Sequence, residues 1–386
     1  MGHSHVPWAL AVVGLGYRPR YRIATTVERL RGYAAWCIVC SMTYTAAILG
    51  ASGYGGAELL KLLANHPEFD VAVVGAESNA GATVGDLFPA LAPIYGDRVF
   101  VQSSAQAAAG VDVVFLALPH GASQKIVPEL IGAVDHIVDF GADFRLPAPS
   151  YEQWYGDQHT APHLIRDFAF GMTELYREDV KQSQHVAVPG CYPTAASYAL
   201  APLVADKAIE HTGIVVNAMS GVSGAGRALK ITSHFSEVNE NASAYGLLTH
   251  RHTAEMEMAL EHVGGIPTTV LFTPHLVPMT RGILATCTAN PARGGLTTGA
   301  LLDLYRSFYA NEPFVTVTNE PSGTRATYGS NSVHITVRFD ARTNTVLAIA
   351  AIDNMVKGAA GHALQNANIL LGLPETMALP VLGVAP

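Results

Sequence analysis

The sequence predicts an α/β protein of two domains, and three observations carry that prediction. The first is size: 386 residues at 49% hydrophobic content exceed one ordinary core and suit two domains of typical length. The second is a glycine turn at residues 50–56, set between a β-prone run and a helical one and followed by short apolar runs of the kind that fill a buried parallel sheet. The third is a later series of β-branched runs separated by turn residues, the pattern of a mixed or antiparallel sheet.

Composition narrows the function classes. A formal charge of -8 with 14% charged residues offers no basic patch for nucleic acid and repels a large polyanion, while small anions stay accessible through local arginines. The four cysteines, Cys37, Cys40, Cys191 and Cys287, form no disulfide framework in a chain of this size, so a reducing cytoplasmic setting is expected. No apolar run reaches the roughly 18 residues that span a bilayer, so no membrane partner is expected. Cys37-x-x-Cys40 has no second pair and no suitably spaced histidines, and no metal is expected.

Residues 1–42 read as an N-terminal extension, expected to be poorly ordered. The apolar run 8–17 precedes the basic residues 18–22, which reverses the order of a secretory signal, and the GLG at 14–16 is followed by Pro19 where a helix should open.

A first domain is expected over 43–190. The run 44–49 leads into Gly50-Ala-Ser52-Gly53-Tyr54-Gly55-Gly56, and 57–64 has helical spacing. Glycine permits the tight turn and brings backbone N–H groups at a helix N-terminus close to a pyrophosphate, which makes Gly50, Ser52, Gly53, Tyr54, Gly55 and Gly56 candidate dinucleotide contacts. Runs 71–75, 111–118 and 137–139 add strands, so a Rossmann domain is the expected architecture. At the end of the second strand Glu77 is the acid that NAD enzymes place on a ribose hydroxyl, whereas Ser78 and Asn79 are small donors able to accept a 2′-phosphate. Pro119, His120 and Gly121 lie at another strand end, where open sheets place ligands. In Asp139-Phe-Gly-Ala-Asp143-Phe-Arg145 the guanidinium suits either an ion pair or a substrate acid.

The second domain, 191–352, opens on the stretch that organises the chain, HVAVPGCYPTAASYALAP at 185–202. A strand end, a Pro-Gly turn and Pro193 in a first helical turn place Cys191 at a helix N-terminus. There the helix dipole and free N–H groups are expected to lower a thiol pKa from about 8.5 toward roughly 3.5 to 7.5. Ser220-Gly221-Val-Ser223-Gly224-Ala-Gly226-Arg227 offers backbone amides closed by a guanidinium, suited to phosphate or carboxylate. His250-Arg251-His252-Thr-Ala-Glu255 opens a helix, and either histidine can carry the proton of a tetrahedral intermediate. Arg281, before a glycine, could reach a substrate acid. Runs 270–276, 282–288, 315–318, 333–339 and 346–351 build an α+β domain around a mixed sheet whose second face is open to oligomer contacts, with Cys287 in its core. Residues 353–371 read as a helix that packs back on the first domain, completing it with 353–386.

The segment VAVPGCYPTAASYALAP resembles the active-site signature of the N-acetyl-gamma-glutamyl-phosphate reductase family, relatives of the aspartate-semialdehyde dehydrogenases. SGVSGAGR at 220–227, HRHTAEM at 250–256, TPHLVPMTRGILATCTA at 273–289 and IDNMVKGAAG at 352–361 look similar too, so the resemblance runs from about Thr43 to Pro386. It implies NADP(H) as cofactor, carried by Ser78 and Asn79, with contacts from the His120 segment and from Asn354 beside Asp353 and Lys357. It also implies Cys191 as nucleophile, His252 as acid/base with His250 the alternate, and Arg251 orienting a small acyl phosphate in a homo-oligomer, dimer or tetramer. The rivals are an aminoadipyl-phosphate reductase, a cofactor-free Cys/His acyltransferase or hydrolase, and a non-catalytic nucleotide-binding scaffold.

Overall fold

A computed structural model describes residues 21–30 and 33–384, with side chains from Thr43 onward. The chain divides into two compact units, 1–44 and 45–386. In the first, β1 (Tyr21–Leu30) pairs antiparallel with β2 (Tyr33–Met42), from Tyr21 opposite Met42 to Leu30 opposite Tyr33. The apolar run 8–17 and its GLG lie outside the described residues.

Both expected sheets are present. The first contains β3 (Tyr44–Leu49), β4 (Phe69–Ala76), β5 (Val101–Gln102), β6 (Val113–Leu116), β7 (His136–Asp139), β8 (Phe168–Phe170) and β9 (His185–Ala187), in the order β5-β4-β3-β6-β7-β9-β8. β3 runs parallel to β6, β6 to β7, and β9 parallel to both β7 and β8. Every residue of β6 is buried, as an unbroken apolar run requires when both faces of a parallel sheet are covered. β8 was not foreseen: 154–172 reads as a connection, and three residues carry too little periodicity to mark a strand.

The second sheet contains β10 (Ile214–Ser220), β11 (Ser243–Ala244), β12 (Val270–Leu276), β13 (Ile283–Ala289), β14 (Val315–Val317), β15 (Val333–Asp340) and β16 (Thr345–Ile352), ordered β11-β12-β10-β13-β16-β15-β14. It is mixed, with β10 parallel to β12 and antiparallel to β13. Here burial alternates: Ile214, Val216, Ala218 and Ser220 point to the core, while Val215, Asn217 and Met219 do not. The covered face packs on the helix Cys191–Ala205, which is buried all along from Tyr192 to Val204 and lies against the helix His252–Gly264. An apolar residue on every face suits a helix enclosed on all sides.

The segment expected to be one helix over 353–371 begins instead with a π-helical turn, Val356–Ala360, and continues as the α-helix Gly361–Leu370. The wide turn is closed by Gly358 N–H to Asp353 O at 2.9 Å and Ala360 N–H to Met355 O at 3.0 Å. The segment packs against the helix Tyr54–Leu63 that follows the glycine turn. Lys357, which the resemblance set beside the cofactor, is fully buried and donates to Glu174 at 2.6 Å and Gln365 at 2.7 Å. Burial works to raise the Glu174 carboxyl, but Lys357, His362 and the Tyr198 hydroxyl outweigh it and hold it at about 2. Lys357→Met would leave an uncompensated buried carboxylate, so a loss of about 3–5 kcal/mol is expected, read as a lower denaturant midpoint.

Candidate active site

Cys191 is the first residue of its helix, with Gly190 as N-cap in extended geometry (φ -68°, ψ 155°) and Pro193 in the first turn. Strand β9 delivers it there, and Val188 N–H bonds to Asp139 O at 2.8 Å to carry the chain past β7. Behind it stands the π-turn: a Cβ added to Gly358 would lie 2.7 Å from Cys191 Cβ, so only glycine fits. Cys191 opens into a cavity of about 650 Å³ that also reaches His252, His250, Arg251, Lys230 and Tyr245.

His252 begins the next helix, and its ring presses on the residue before the cysteine. A Cβ at Gly190 would stand 2.5 Å from His252 Nε2. The two are tied together by Glu255, one turn on and fully buried. Glu255 accepts from Gly190 N–H at 2.8 Å and from Arg145 Nη1 at 2.9 Å, and lies 3.9 Å from His252 Nε2. His252 Nδ1 is buried with no hydrogen-bond partner, a nitrogen left able to exchange a proton with whatever enters. His250 is occupied differently: its Nδ1 accepts the His252 backbone N–H at 3.2 Å, and its ring meets Tyr192, Tyr245 and Phe272 edge-on.

The electrostatics correct one expectation. Cys191 does stand at a helix N-terminus, but burial pushes its thiol up to about 11, against the opposing pull of Arg145 and nearby backbone N–H groups. Burial likewise holds His252 well below its usual value, with Arg145 and Arg251 acting in the same direction, and takes His250 to about 3. The resting pair is a neutral thiol beside a neutral imidazole.

The structure distributes the predicted arginines more widely than the sequence suggested. Arg145 lines the cavity, yet its guanidinium is engaged by Glu255 and by Phe140 O, not held free for a substrate. Arg281 is turned away, paired with Glu58 at 3.1 Å and Asp353 at 3.3 Å. Arg227 donates to Ser52 O at 3.3 Å on the glycine turn and does not line the Cys191 cavity. Arg251 does line it, lying over the Tyr155 ring at 4.7 Å. Lys230, which nothing in the sequence singled out, lines it too, and neither cation forms an ion pair among the described residues.

The loop after β10 also departs from expectation. The amides of Gly221, Val222, Ser223, Gly224 and Gly226 all donate to backbone carbonyls and so do not await an anion. Ser220 and Gly224 nevertheless line the cavity. Asn354 holds this loop, donating to Ser223 Oγ at 2.9 Å and accepting from Gly282 N–H at 2.7 Å, so its side chain is committed to the protein and not to a cofactor.

The glycine turn fits a dinucleotide. Gly50 has φ +85°, and a Cβ there would stand 2.2 Å from Ala117 O; at Gly56 it would meet Ala51 Cα at 2.5 Å. Gly53 caps the helix Tyr54–Leu63 with no side-chain hydrogen bond, leaving the first-turn N–H groups of Tyr54, Gly55 and Gly56 for an anion. Ser52 contributes its carbonyl to Arg227. A second cavity of about 630 Å³ is lined by Glu77, Ser103, Pro119, His120 and Gly121, whereas Ser78 and Asn79 do not line it. His120 belongs to both cavities, and its Nδ1 lies 3.1 Å from buried Asp143, which also accepts from Gly121 N–H at 2.9 Å. Among the described residues no cluster of three or more His, Cys, Asp or Glu is placed to hold a metal ion.

Comparison with known proteins agrees with this arrangement. Residues 45–183 match the semialdehyde dehydrogenase NAD binding domain, and 191–354 match the semialdehyde dehydrogenase dimerisation domain. Fold and site thus define the semialdehyde dehydrogenase class, a nicotinamide-binding sheet joined to a cysteine-bearing mixed-sheet domain. The chain is 50% identical over 346 residues to the N-acetyl-gamma-glutamyl-phosphate reductase of Symbiobacterium thermophilum, covering 88% of this chain and 98% of that one. It is 46% identical to the enzyme of that name from Thermus thermophilus, over 88% and 99% of the two chains. The chain belongs to the N-acetyl-gamma-glutamyl-phosphate reductase family. Aspartate semialdehyde dehydrogenase II from Vibrio cholerae, solved with ASA, has a TM-score of 0.64 at 18% identity, over 86% of this chain and 99% of that one. The Candida albicans aspartate semialdehyde dehydrogenase solved with NADP reaches 0.63 at 18%, over 85% and 99%; both share the fold.

Two outcomes follow from the geometry. Because the thiol is raised, the reactive thiolate accumulates only as pH climbs toward about 11, so alkylation of Cys191 by iodoacetamide in cofactor-free protein should still accelerate between about pH 8 and 10. A plateau below that range would mean a preformed thiolate. Gly358→Ala should push Cys191 out of place and lower kcat by roughly 100-fold while nucleotide binding, followed by fluorescence, is retained.

Proposed function

We propose that this chain reduces N-acetyl-glutamyl 5-phosphate to N-acetyl-glutamate 5-semialdehyde and phosphate through a thioester on Cys191, in the cytoplasm and with NADP(H) as cofactor. The observation that carries the proposal is the neutral Cys191–His252 pair held by Glu255 in a cavity lined also by Arg251 and Lys230, neither of which forms an ion pair among the described residues. The relatives described above carry the glutamyl-phosphate name, which disfavours the aminoadipyl alternative.

His252 takes the thiol proton as Cys191 attacks the acyl carbon, and the proton leaves with the expelled phosphate. The nicotinamide cofactor, held at the glycine turn of Gly50 to Gly56, would supply the hydride that reduces the thioester carbonyl. His252 passes a second proton, drawn from solvent, to the oxygen as the thiohemiacetal forms on Cys191. Collapse of that adduct releases the aldehyde and returns the proton to sulfur. Glu255 steadies each imidazolium that forms, and Arg145 faces the negative charge that develops on sulfur and oxygen. Arg251 and Lys230 hold the carboxylate and phosphate of the substrate.

Gly50, Gly53, Tyr54, Gly55 and Gly56 would cradle the cofactor's pyrophosphate, with Pro119, His120 and Gly121 beside it. The 2′-phosphate would lie near Ser78 and Asn79, beyond Glu77, whose carboxylate accepts from Gln102 at 2.6 Å. The open face of the mixed sheet, with Met219 and Leu271 exposed and Val215, Leu284, Leu347 and Ile349 partly exposed, would join two copies at least.

The test runs the reaction backwards, because the acyl phosphate is unstable: purified protein, N-acetyl-glutamate 5-semialdehyde, phosphate and NADP. Phosphate-dependent reduction of NADP, well above that of NAD, is the expected result. Cys191→Ser should abolish it and leave NADPH binding intact; turnover surviving in that variant would remove Cys191 from the mechanism.

A further inference from the structure

The helix Ala148–Tyr155 lies in the connection between β7 and β8, and its last residue lines the Cys191 cavity. Gly156, in the left-handed conformation at φ +79°, ends the helix by donating its N–H to Glu152 O at 3.0 Å. The Tyr155 ring is held by two neighbours. One turn back, Tyr151 stacks on it with centroids 4.6 Å apart and planes 7° from parallel. Tyr151 is itself fully buried, and its hydroxyl accepts from Gln124 Nε2 at 2.9 Å. His120 meets the Tyr155 ring at 4.4 Å and is fixed in turn through Nδ1 by buried Asp143.

Over this ring lies the Arg251 guanidinium, 4.7 Å from its centroid. Arg251 is the N-cap of the helix that His252 opens, so the direction of its side chain sets where a bound anion stands relative to Cys191 and His252. The other arginines near the site are held by protein oxygens: Arg145 by Glu255 and Phe140 O, Arg281 by Glu58 and Asp353, Arg227 by Ser52 O. Arg251 has no ion pair and no side-chain hydrogen bond among the described residues. The difference has a chemical consequence. A carboxylate that orients a guanidinium also occupies its N–H groups and cancels its charge. An aromatic face attracts it through the ring quadrupole and leaves both for a ligand.

We propose that Tyr155 is a positioning residue for substrate binding: its ring supports Arg251 without neutralising it and holds the guanidinium for the anion that enters the Cys191 cavity. Tyr155 acts through Arg251 and not on the reacting atoms. The ring carries the effect and the hydroxyl does not, because the contact is with the face of the ring. Tyr151 and His120 make that support rigid, so the guanidinium is oriented before the ligand arrives. The identity of the anion, an acyl phosphate with its amino-acid carboxylate, rests on the reading given above; the support of Arg251 does not.

The experiment compares Tyr155→Phe, Tyr155→Leu and protein carrying pentafluorophenylalanine at position 155, each alone and combined with Arg251→Met. Calorimetry on the full chain gives the affinity for inorganic phosphate and for N-acetyl-glutamate, a non-reacting carboxylate, and the reverse assay gives KM and kcat. Phenylalanine should keep both affinities within about twofold, while leucine should weaken at least one of them about fivefold. The matching KM should rise alike, with kcat at saturation changed by less. Pentafluorophenylalanine keeps the ring shape and reverses the charge of its face, so it should behave as leucine does and decides the matter where leucine disturbs folding. With Arg251→Met these differences should vanish, since Tyr155 then has nothing to orient. Wild-type affinity for both anions in the fluorinated variant overturns the proposal, and so does a loss that persists with Arg251→Met. A Tyr155→Phe variant that loses kcat at unchanged KM also overturns it, by placing the hydroxyl in the chemistry. Wild type that binds neither anion overturns it as well. Absence of turnover in wild type, with the calorimetric pattern as expected, would count against the reductase reading and leave the role of Tyr155 standing.

Discussion

The site depends on one carboxylate. Glu255 has no exposed surface, and its two oxygens reach a guanidinium from the first domain, the N-cap amide of the cysteine helix and the imidazole one turn before it. Each partner comes from a different segment, so the position of the nucleophile, its base and the nearest cation are set by a single side chain. A buried charge pair of this kind gives little net stability, because desolvation offsets the attraction. Its value is geometric: three segments far apart in sequence can meet in only one way around it.

Around that centre burial acts on both reacting groups at once. Removing water disfavours every charged form, so it raises the thiol and lowers the imidazole, and the pair rests without charge. The helix N-terminus and Arg145 pull the other way at sulfur and are outweighed. An uncharged pair does not repel an incoming dianion, and the charges arise only when a proton moves, inside a frame already built to receive them.

Much of this was legible in the sequence because it was local. The glycine turn, the unbroken apolar run of β6 and the Cys191 helix start each follow from a few neighbouring residues. What depended on distant partners was not. Arg281 next to a glycine gave no hint of Glu58 or Asp353, and Arg145 lies close after two acids in sequence yet pairs with neither, reaching Glu255 instead, while Asp139 Oδ1 accepts from Ser123 and Asp143 is engaged by the His120 segment. The thiol was misjudged for the same reason: the helix N-terminus is written in Pro-Gly-Cys, but the burial that overrides it comes from the π-turn around Gly358 and from the cavity walls. Glu255 was within reach, since an acid three residues after His252 on one helix face is a readable pattern.

The closing segment ties the end of the chain to its beginning. His66 meets Asn368 across 302 residues, and Thr173 meets Asn366 across 193. As the polypeptide leaves the ribosome, the early strands and the helix behind the glycine turn are therefore made well before the side chains that seal them. Until those last residues emerge, the nucleotide-binding half has one flank bare, a flank that a chaperone or a neighbouring nascent chain can occupy. The order of synthesis thus gives the C-terminal helix a role at the end of folding, when it covers that flank.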